Sequence, residues 1–168
     1  MRKQTGFTLI ELIIVIVILG ILAVTAAPRF INLQGDARAS SLQGVAAALQ
    51  GGSQLVFAKA AINGVQGNTA TNNLDLDNDG TAELSIINGY PDANTTFAAS
   101  DVELAEWVDL DVALSTVANP ASAFILTEGT NLFTITLNGT AAGNDCEVVY
   151  NNAVTGESPV ITVTDTAC

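Results

Sequence analysis

The sequence predicts an α+β protein in which a long N-terminal helix, hydrophobic over its first half, packs on an antiparallel sheet of about four strands. Three observations predict this class. An apolar run near the N-terminus continues directly into an amphipathic helical pattern. Short segments typical of strands, separated by turn residues, follow one another over residues 121–165. The 168 residues suffice for one ordinary domain with an appendage.

The apolar run covers residues 7–27 and contains one charged side chain, Glu11. A helix of that length spans roughly 30 Å, the thickness of the hydrocarbon core of a bilayer. Arg2 and Lys3 precede it and predict a cytoplasmic N-terminus. A cleaved signal peptide is the alternative, since an A-x-A-like site lies near residues 23–27. The run is longer than a usual signal-peptide core, however, and the helical pattern continues beyond it.

Glu11 is the unusual residue of this run. A carboxylate inside a hydrocarbon segment costs about 2.5–3.5 kcal/mol on insertion scales, which predicts a partner. Cleavage between Gly6 and Phe7 would create one, the α-amino group of Phe7. In an assembly the amine of one chain would meet Glu11 of another and fix the axial stagger between subunits.

The amphipathic part of the helix covers residues 28–62 and is expected to stop at Asn63-Gly64. Gly20 weakens the helix and Pro28 should kink it. Close packing against a sheet is the expected reason for Gly51-Gly52. The predicted buried stripe comprises Leu42, Val45, Ala46 and Leu49, continued less strictly by Leu55, Val56 and Ala60.

The remaining residues, 63–168, are expected to form the head. Ser100 and Glu103 fit a capping box, which predicts a short helix over 101–108. Strands are predicted over 121–128, 132–137, 146–151 and 159–165, in a meander that rests on the helix.

The segment 74–83 contains an acidic pattern, D-x-D-x-D-G, that matches the first half of an EF-hand-type calcium loop. Gly80 would allow the sharp turn, although the acid that a full loop needs at position 86 is replaced by Ile86. The alternative is an acidic solvated turn without an ion. The sequence predicts a weak-to-moderate calcium site with these ligands: Asp75, Asp77, Asp79, the Thr81 carbonyl and Glu83.

Composition excludes several function classes. The formal charge of −12 argues against direct nucleic-acid binding. The absence of histidine excludes Ser–His and Cys–His catalysis. No nucleophile–base pair stands out, and Asp109 with Asp111 is expected to be a solvated face. We therefore expect a protein that is not an enzyme and that requires no cofactor apart from the calcium ion considered above.

The stretch GFTLIELIIVIVILGILAVTAAPRF, from Gly6 to Phe30, closely resembles the N-terminus of type IV pilins. The resemblance implies that residues 1–6 are a leader which a prepilin peptidase removes after Gly6, and that the same enzyme N-methylates Phe7. It implies that Glu11 is required for assembly and that the helix loosens between Gly20 and Pro28 in filaments. Looser matches further along the chain resemble the mannose-sensitive haemagglutinin (MSHA) class.

The family resemblance also bears on the two cysteines, Cys146 and Cys168. It implies a C-terminal disulfide loop at the subunit edge, and the outer face of the membrane permits oxidation. Such a bridge would contribute roughly 3 kcal/mol on the loop-entropy model. Two free thiols are the alternative.

The resemblance implies a pilin fold and a structural function: the major subunit of an extracellular type IV pilus that polymerises with itself and serves adhesion and biofilm formation. The precursor would wait in the bacterial inner membrane. Expected partners are the prepilin peptidase, the pilus assembly machinery of the inner membrane, and a surface glycan or abiotic surface. A type II secretion pseudopilin with a calcium site is the alternative. Removal of the leader would change the formal charge from −12 to −14.

Overall fold

The computed structural model describes residues 6–69, 72–94, 102–118 and 120–168. The predicted leader therefore lies outside the described residues except for Gly6. The chain divides into two compact units, Met1–Ala37 and Arg38–Cys168. Helical residues from Arg38 onward consequently belong to the same unit as the sheets.

The long N-terminal helix is confirmed as α1, which covers Leu9–Ile62. Helical backbone continues through Gly20 and Pro28, so the kink and the loosening there stay predictions. At the C-terminal end, Gly64 adopts a φ of 71°, and the Val65 amide donates to the Ala60 carbonyl at 2.9 Å. A left-handed residue of this kind closes a helix, which agrees with the expected stop at Asn63-Gly64.

The larger sheet contains five strands in the order β4-β5-β6-β7-β8. Its members are β4 (Val112–Leu114), β5 (Phe124–Glu128), β6 (Leu132–Leu137), β7 (Glu147–Asn151) and β8 (Val160–Thr164). The pairs from β5 to β8 are antiparallel and form the predicted meander. These four strands confirm the expected antiparallel sheet, and β4 adds a fifth strand that was not predicted, parallel to β5.

A second, three-stranded antiparallel sheet was not predicted. It contains β1 (Asn72–Leu74), β2 (Leu84–Ile87) and β3 (Tyr90–Pro91). These strands have two to four residues, too few for alternation of polar and apolar side chains to stand out in the sequence. The α+β class is confirmed, with two sheets instead of one.

The buried residues of α1 from Leu42 onward contribute to two hydrophobic clusters, each of which also contains residues of a sheet. Leu42, Val45 and Leu49 pack with residues of the large sheet, among them Phe133 and Tyr150. Further along the helix, the second cluster joins residues of α1 to the small sheet: Val56, Ala60, Leu74, Leu84 and Ile86.

Leu55 does not belong to the stripe, contrary to the sequence interpretation. Its side chain is 74% exposed, whereas the neighbouring Val56 is buried. Successive helical residues are rotated by about 100°, so the buried face that contains Leu49 and Val56 cannot include Leu55.

Of the pair Gly51-Gly52, Gly52 is the residue at which the packing requires a glycine. A Cβ there would lie 2.5 Å from the Trp107 carbonyl oxygen and 2.8 Å from Val108 Cγ2, while one at Gly51 would meet open space. Gly52 therefore packs against the segment that follows α2 (Val102–Ala105). The sequence analysis had expected a sheet at this contact, and that expectation was wrong. Ser100 and Asp101 of the predicted capped helix lie outside the described residues.

Candidate functional site

The first part of α1 exposes an uninterrupted apolar surface. Leu9–Ala26 has a mean hydropathy of 3.0, and none of this stretch is buried within the protein. A second stretch, Leu33–Ile62, is also long and apolar enough to span a membrane, but a third of it is buried, and it contains the core stripe. Exposure on this scale requires an apolar environment, which lipid or neighbouring helices can supply.

Glu11 makes hydrogen bonds at the start of this apolar helix. Its Oε2 atom accepts hydrogen bonds from the Thr8 amide at 2.9 Å and from the Thr8 hydroxyl at 2.8 Å. The Glu11 amide in turn donates to Thr8 Oγ1 at 3.3 Å. This reciprocal arrangement is a capping box, in which Thr8 precedes the helix and Glu11 occupies its third position.

The sequence analysis did not predict this capping box, although T-x-x-E at residues 8–11 is its usual sequence pattern. The bonds to Thr8 involve one carboxylate oxygen. The other oxygen, Oε1, takes no part in these bonds.

Gly6 and Phe7 lie before the first turn of the helix, in exposed non-helical backbone. The Phe7 side chain is 92% exposed. A Cβ at Gly6 would meet nothing within 4 Å, so packing among the described residues does not require glycine at this position. The junction is accessible to an enzyme, and cleavage and methylation there stay predictions.

The acidic loop brings its four carboxylates together. One oxygen from each can be chosen such that all lie within 4.8 Å of one another, and they come from Asp75, Asp77, Asp79 and Glu83. Ligands on opposite sides of a calcium ion, at 2.3–2.6 Å from it, are separated by about 4.6–5.2 Å. The spacing therefore suits a calcium ion. The Thr81 carbonyl, the fifth predicted ligand, is untested.

Hydrogen bonds from backbone amides of the loop hold these carboxylates in place. Asp75 Oδ2 accepts from the Gly80 amide at 2.9 Å, and Asp79 Oδ1 accepts from the Thr81 amide at 2.7 Å. Gly80 has a φ of 95°, a conformation that favours glycine. Glu83 reaches back across the loop, where its Oε2 accepts from the Leu76 amide at 2.9 Å.

The surroundings of Asp75 favour the charged form of its carboxylate. Desolvation raises the pKa of Asp75, but the amides of Gly80 and Asn78 and the positive charge of Lys59 outweigh it, so that the pKa lies below its ordinary value. Hydrogen bonds to the ionised form have this effect generally. Asp75 is consequently ionised at neutral pH, as a cation ligand must be.

The two cysteines form a disulfide bridge, Cys146–Cys168. Cys146 is buried and Cys168 half-buried, and both contact the large hydrophobic cluster. The bridge itself is therefore part of the core. Residues 154–158 of the loop that it closes are exposed, so the exposed edge expected from the resemblance consists of this turn.

The comparisons with known proteins concern the N-terminal part of the chain. Residues 1–27 match the family model of the prokaryotic N-terminal methylation motif. The chain is also similar to the type IV narrow pilus major component PilA5 of Thermus thermophilus, with 50% identity over 48 residues. That alignment covers 29% of this chain and 41% of the relative, less than half of either protein. No solved structure matches the chain.

Motif and helix together fit an inner-membrane precursor that becomes part of an extracellular pilus. Neither comparison distinguishes the MSHA class, which stays a prediction. The chain thus has a methylation motif that ends within the exposed apolar helix, and part of its length is similar to a type IV pilus component.

Proposed function

We propose that the chain is the major structural subunit of an extracellular type IV pilus and that the pilus serves adhesion and biofilm formation. The observation that carries the proposal is the fully exposed apolar helix Leu9–Ala26, which begins directly after the motif junction at Gly6-Phe7. Lipid covers this surface in the precursor, and the helices of identical subunits cover it in the filament. The function is structural and needs no catalytic group.

Assembly follows from the chemistry at the junction. A prepilin peptidase cuts after Gly6 and leaves a positively charged amine on Phe7, one turn before Glu11. The capping box holds the Glu11 carboxylate in place through one oxygen. The second carboxylate oxygen accepts a hydrogen bond from the Phe7 amine of a neighbouring subunit. This pairing is favourable because two opposite charges in a low-dielectric environment attract strongly. The inner-membrane assembly machinery moves each matched subunit out of the bilayer.

The test replaces Glu11 with glutamine in a strain that lacks its own copy of the gene. We expect membrane-inserted protein at the normal level on an immunoblot, with surface filaments lost under the electron microscope. Glu128→Gln is the matched control, since Glu128 is exposed at the end of β5, and it should form normal filaments. Normal filaments from Glu11→Gln would refute the pairing of Glu11 with the Phe7 amine. If the unmodified strain forms no surface filaments, the proposal that this protein builds a pilus is refuted.

The adhesive role has a separate readout. A strain without the protein should be retained less on glass or on host cells than the parent, and purified filaments should compete with the parent for these surfaces. Equal retention of both strains would refute the adhesive role and leave only the structural role of the subunit in the filament.

A type II secretion pseudopilin is the second candidate, and the acidic loop is the observation that favours it. Its four clustered carboxylates suit a calcium ion, which we propose binds there weakly to moderately. Long surface filaments in a strain that expresses only the operon of this subunit would decide for the pilus, and their absence together with a secretion defect would decide for the pseudopilin.

Calcium binding predicts a higher melting temperature of the full chain in detergent when millimolar calcium chloride is added, because a ligand of the folded state stabilises it. Asp77→Ala should remove the shift, while Asp109→Ala, an exposed acid outside the loop, should keep it. Magnesium chloride should give a smaller shift. The absence of a calcium effect on the unmodified chain would contradict the site.

A further inference from the structure

The larger sheet ends at β8, and the outer edge of β8 has no partner strand among the described residues. The pairing of β8 with β7 on the inner side is regular, from Val160 opposite Asn151 to Thr164 opposite Glu147. In an antiparallel sheet, about every second residue of such a strand directs its N–H and C=O groups away from the partner. The outer edge of β8 is therefore a row of hydrogen-bonding groups that can pair with a further strand.

β8 lacks the features that usually protect the edge of a sheet. Its sequence, VITVT, contains no charge and no proline, and all five side chains are β-branched. The opposite edge of the sheet, β4, has three residues and follows directly after Asp111. Sheet edges are commonly shielded by short length, by charge or by proline. β4 is shielded in this way, whereas β8 favours the addition of a strand.

A groove of about 560 Å³ lies beside this edge, between β8 and α1. On the strand side, Ile161 and Val163 line the groove and pack against the large hydrophobic cluster. Two small and two polar side chains line it on the helix side: Ala46, Ala47, Gln43 and Gln50. A strand added to β8 would therefore lie over α1 and bury its own apolar side chains against the two alanines.

A second copy of β8 fits this edge. In an antiparallel arrangement centred on Thr162, Ile161 of each copy lies opposite Val163 of the other, and the two Thr162 residues lie opposite each other. Directly opposite residues share one face of a sheet, so the apolar pairs lie on the α1 side of both copies. A shift by one residue would turn the apolar side chains of the second copy away from α1. Self-pairing therefore has a register that matches all five residues of β8.

Charge makes β8 a favourable place for two heads to meet. The unit Arg38–Cys168 contains two basic residues, Arg38 and Lys59, and most of the acids of the chain. Two heads consequently repel each other over much of their surface. Because β8 carries no charge, two copies can approach along this strand without placing acidic side chains opposite one another.

The two ends of β8 have complementary surroundings. Just beyond its C-terminal end, Arg38 Nη1 donates to the Cys168 carbonyl at 3.5 Å. The acid at this end, Asp165, accepts a hydrogen bond from Gln43 Nε2 at 3.2 Å. The exposed Glu157 precedes the N-terminal end. Antiparallel pairing brings the C-terminal end of one copy beside the N-terminal end of the other, so that Arg38 and Glu157 of different copies lie at the same end.

From these features we infer that β8 is a self-recognition edge at which two heads join antiparallel into one continuous sheet. Such a contact is two-fold symmetric, whereas successive subunits of a helical filament meet through unlike surfaces. The contact therefore joins subunits of two different filaments. This last step rests on the proposed pilus, but the pairing of the heads does not. Many copies along a filament would strengthen a single weak pairing.

Disulfide trapping of the full-length protein in detergent tests the pairing. Thr162→Cys places a thiol on the two-fold axis, where opposite Cα atoms lie about 4.5–5.5 Å apart, within the range of about 4.4–6.8 Å that a disulfide spans. Mild oxidation at physiological ionic strength should give a covalent dimer on a non-reducing gel, and dithiothreitol should remove it. Ala141→Cys, exposed and outside β8, is the control and should stay monomeric.

Val160→Cys and Thr164→Cys test the register. In the inferred pairing these two positions lie opposite each other, whereas like positions lie roughly 13 Å apart along the strands. Each variant alone should stay monomeric, and an equal mixture of the two should give the dimer. Thr162→Lys added to both should abolish the dimer, because like charges would meet on the axis. Equal melting temperatures would show that all variants fold.

No dimer from Thr162→Cys, a dimer as strong from Ala141→Cys, or a dimer from Val160→Cys alone would each overturn the pairing. Purified filaments of Thr162→Cys should form bundles on oxidation that dithiothreitol disperses. Covalent dimers in filaments that stay separate would overturn the contact between filaments. If the unmodified chain forms no filaments, the proposed pilus fails, and the detergent experiment still decides whether the heads pair.

Discussion

At the residue scale, single side chains decide local geometry through contacts that the sequence shows only partly. The Oε2 atom of Glu11 caps its own helix, and Oε1 takes no part in those bonds. The capping pattern was readable in residues 8–11. The contact of Gly52 with Trp107 joins residues far apart in the chain, and no local pattern encodes such a distance.

Gly52→Ala should destabilise the head by about 1–3 kcal/mol, because the added methyl group would meet the Trp107 backbone and force the segment to shift. Chemical denaturation of the full chain in detergent, followed by Trp107 fluorescence, measures the loss. Gly51→Ala is the matched control: it meets open space and should stabilise the helix by up to about 1 kcal/mol. Equal stability changes for the two variants would contradict the packing argument.

At the element scale, a helix or strand could be predicted from the sequence when its pattern of apolar residues was long enough. The 54-residue helix and the strands β5–β8 repeat their patterns over enough residues to be recognised. Strands β1–β4 have two to four residues each, and tertiary pairing stabilises them. For instance, Val112 of β4 pairs in parallel with Phe124, an arrangement that neither segment shows by itself.

The candidate sites divide in the same way. The acidic loop and the motif junction are continuous segments, so a pattern in the sequence can point to their residues. The groove between α1 and β8 is assembled from separate segments, and no spacing in the sequence links Ala46 and Ala47 to the last strand. Only the fold brings these residues together.

The disulfide bridge is the element-scale constraint with the largest expected effect. Cys168→Ser should lower the free energy of unfolding of the full chain by roughly 3 kcal/mol, because the bridge closes a loop over 22 positions of sequence separation. Denaturant titration measures the change. Reduction of the unmodified protein with dithiothreitol is the control and should give a similar loss. A variant as stable as the oxidised parent would contradict a stabilising role.

At the scale of the whole molecule, charge is divided along the chain. All five basic residues lie at or before Lys59, and 15 of the 17 acidic residues follow it. The head is therefore strongly negative, while Arg29, Arg38 and Lys59 lie on α1. Filaments of the proposed kind should repel one another at low ionic strength, and the Debye length of about 10 Å at 0.1 M salt sets the range of that repulsion.

Multivalent cations should bundle purified filaments. Ions such as Mg²⁺ or spermidine can bridge negative surfaces, whereas sodium only screens them, so the two should differ at equal ionic strength. Light scattering and low-speed sedimentation should show bundling in millimolar MgCl₂ or spermidine, and dispersed filaments in NaCl of matched ionic strength. Chelation with EDTA should reverse the magnesium effect but leave the spermidine effect. Equal bundling in NaCl would mean that screening alone suffices, and dispersed filaments in every cation would mean that head charge does not govern contacts between filaments.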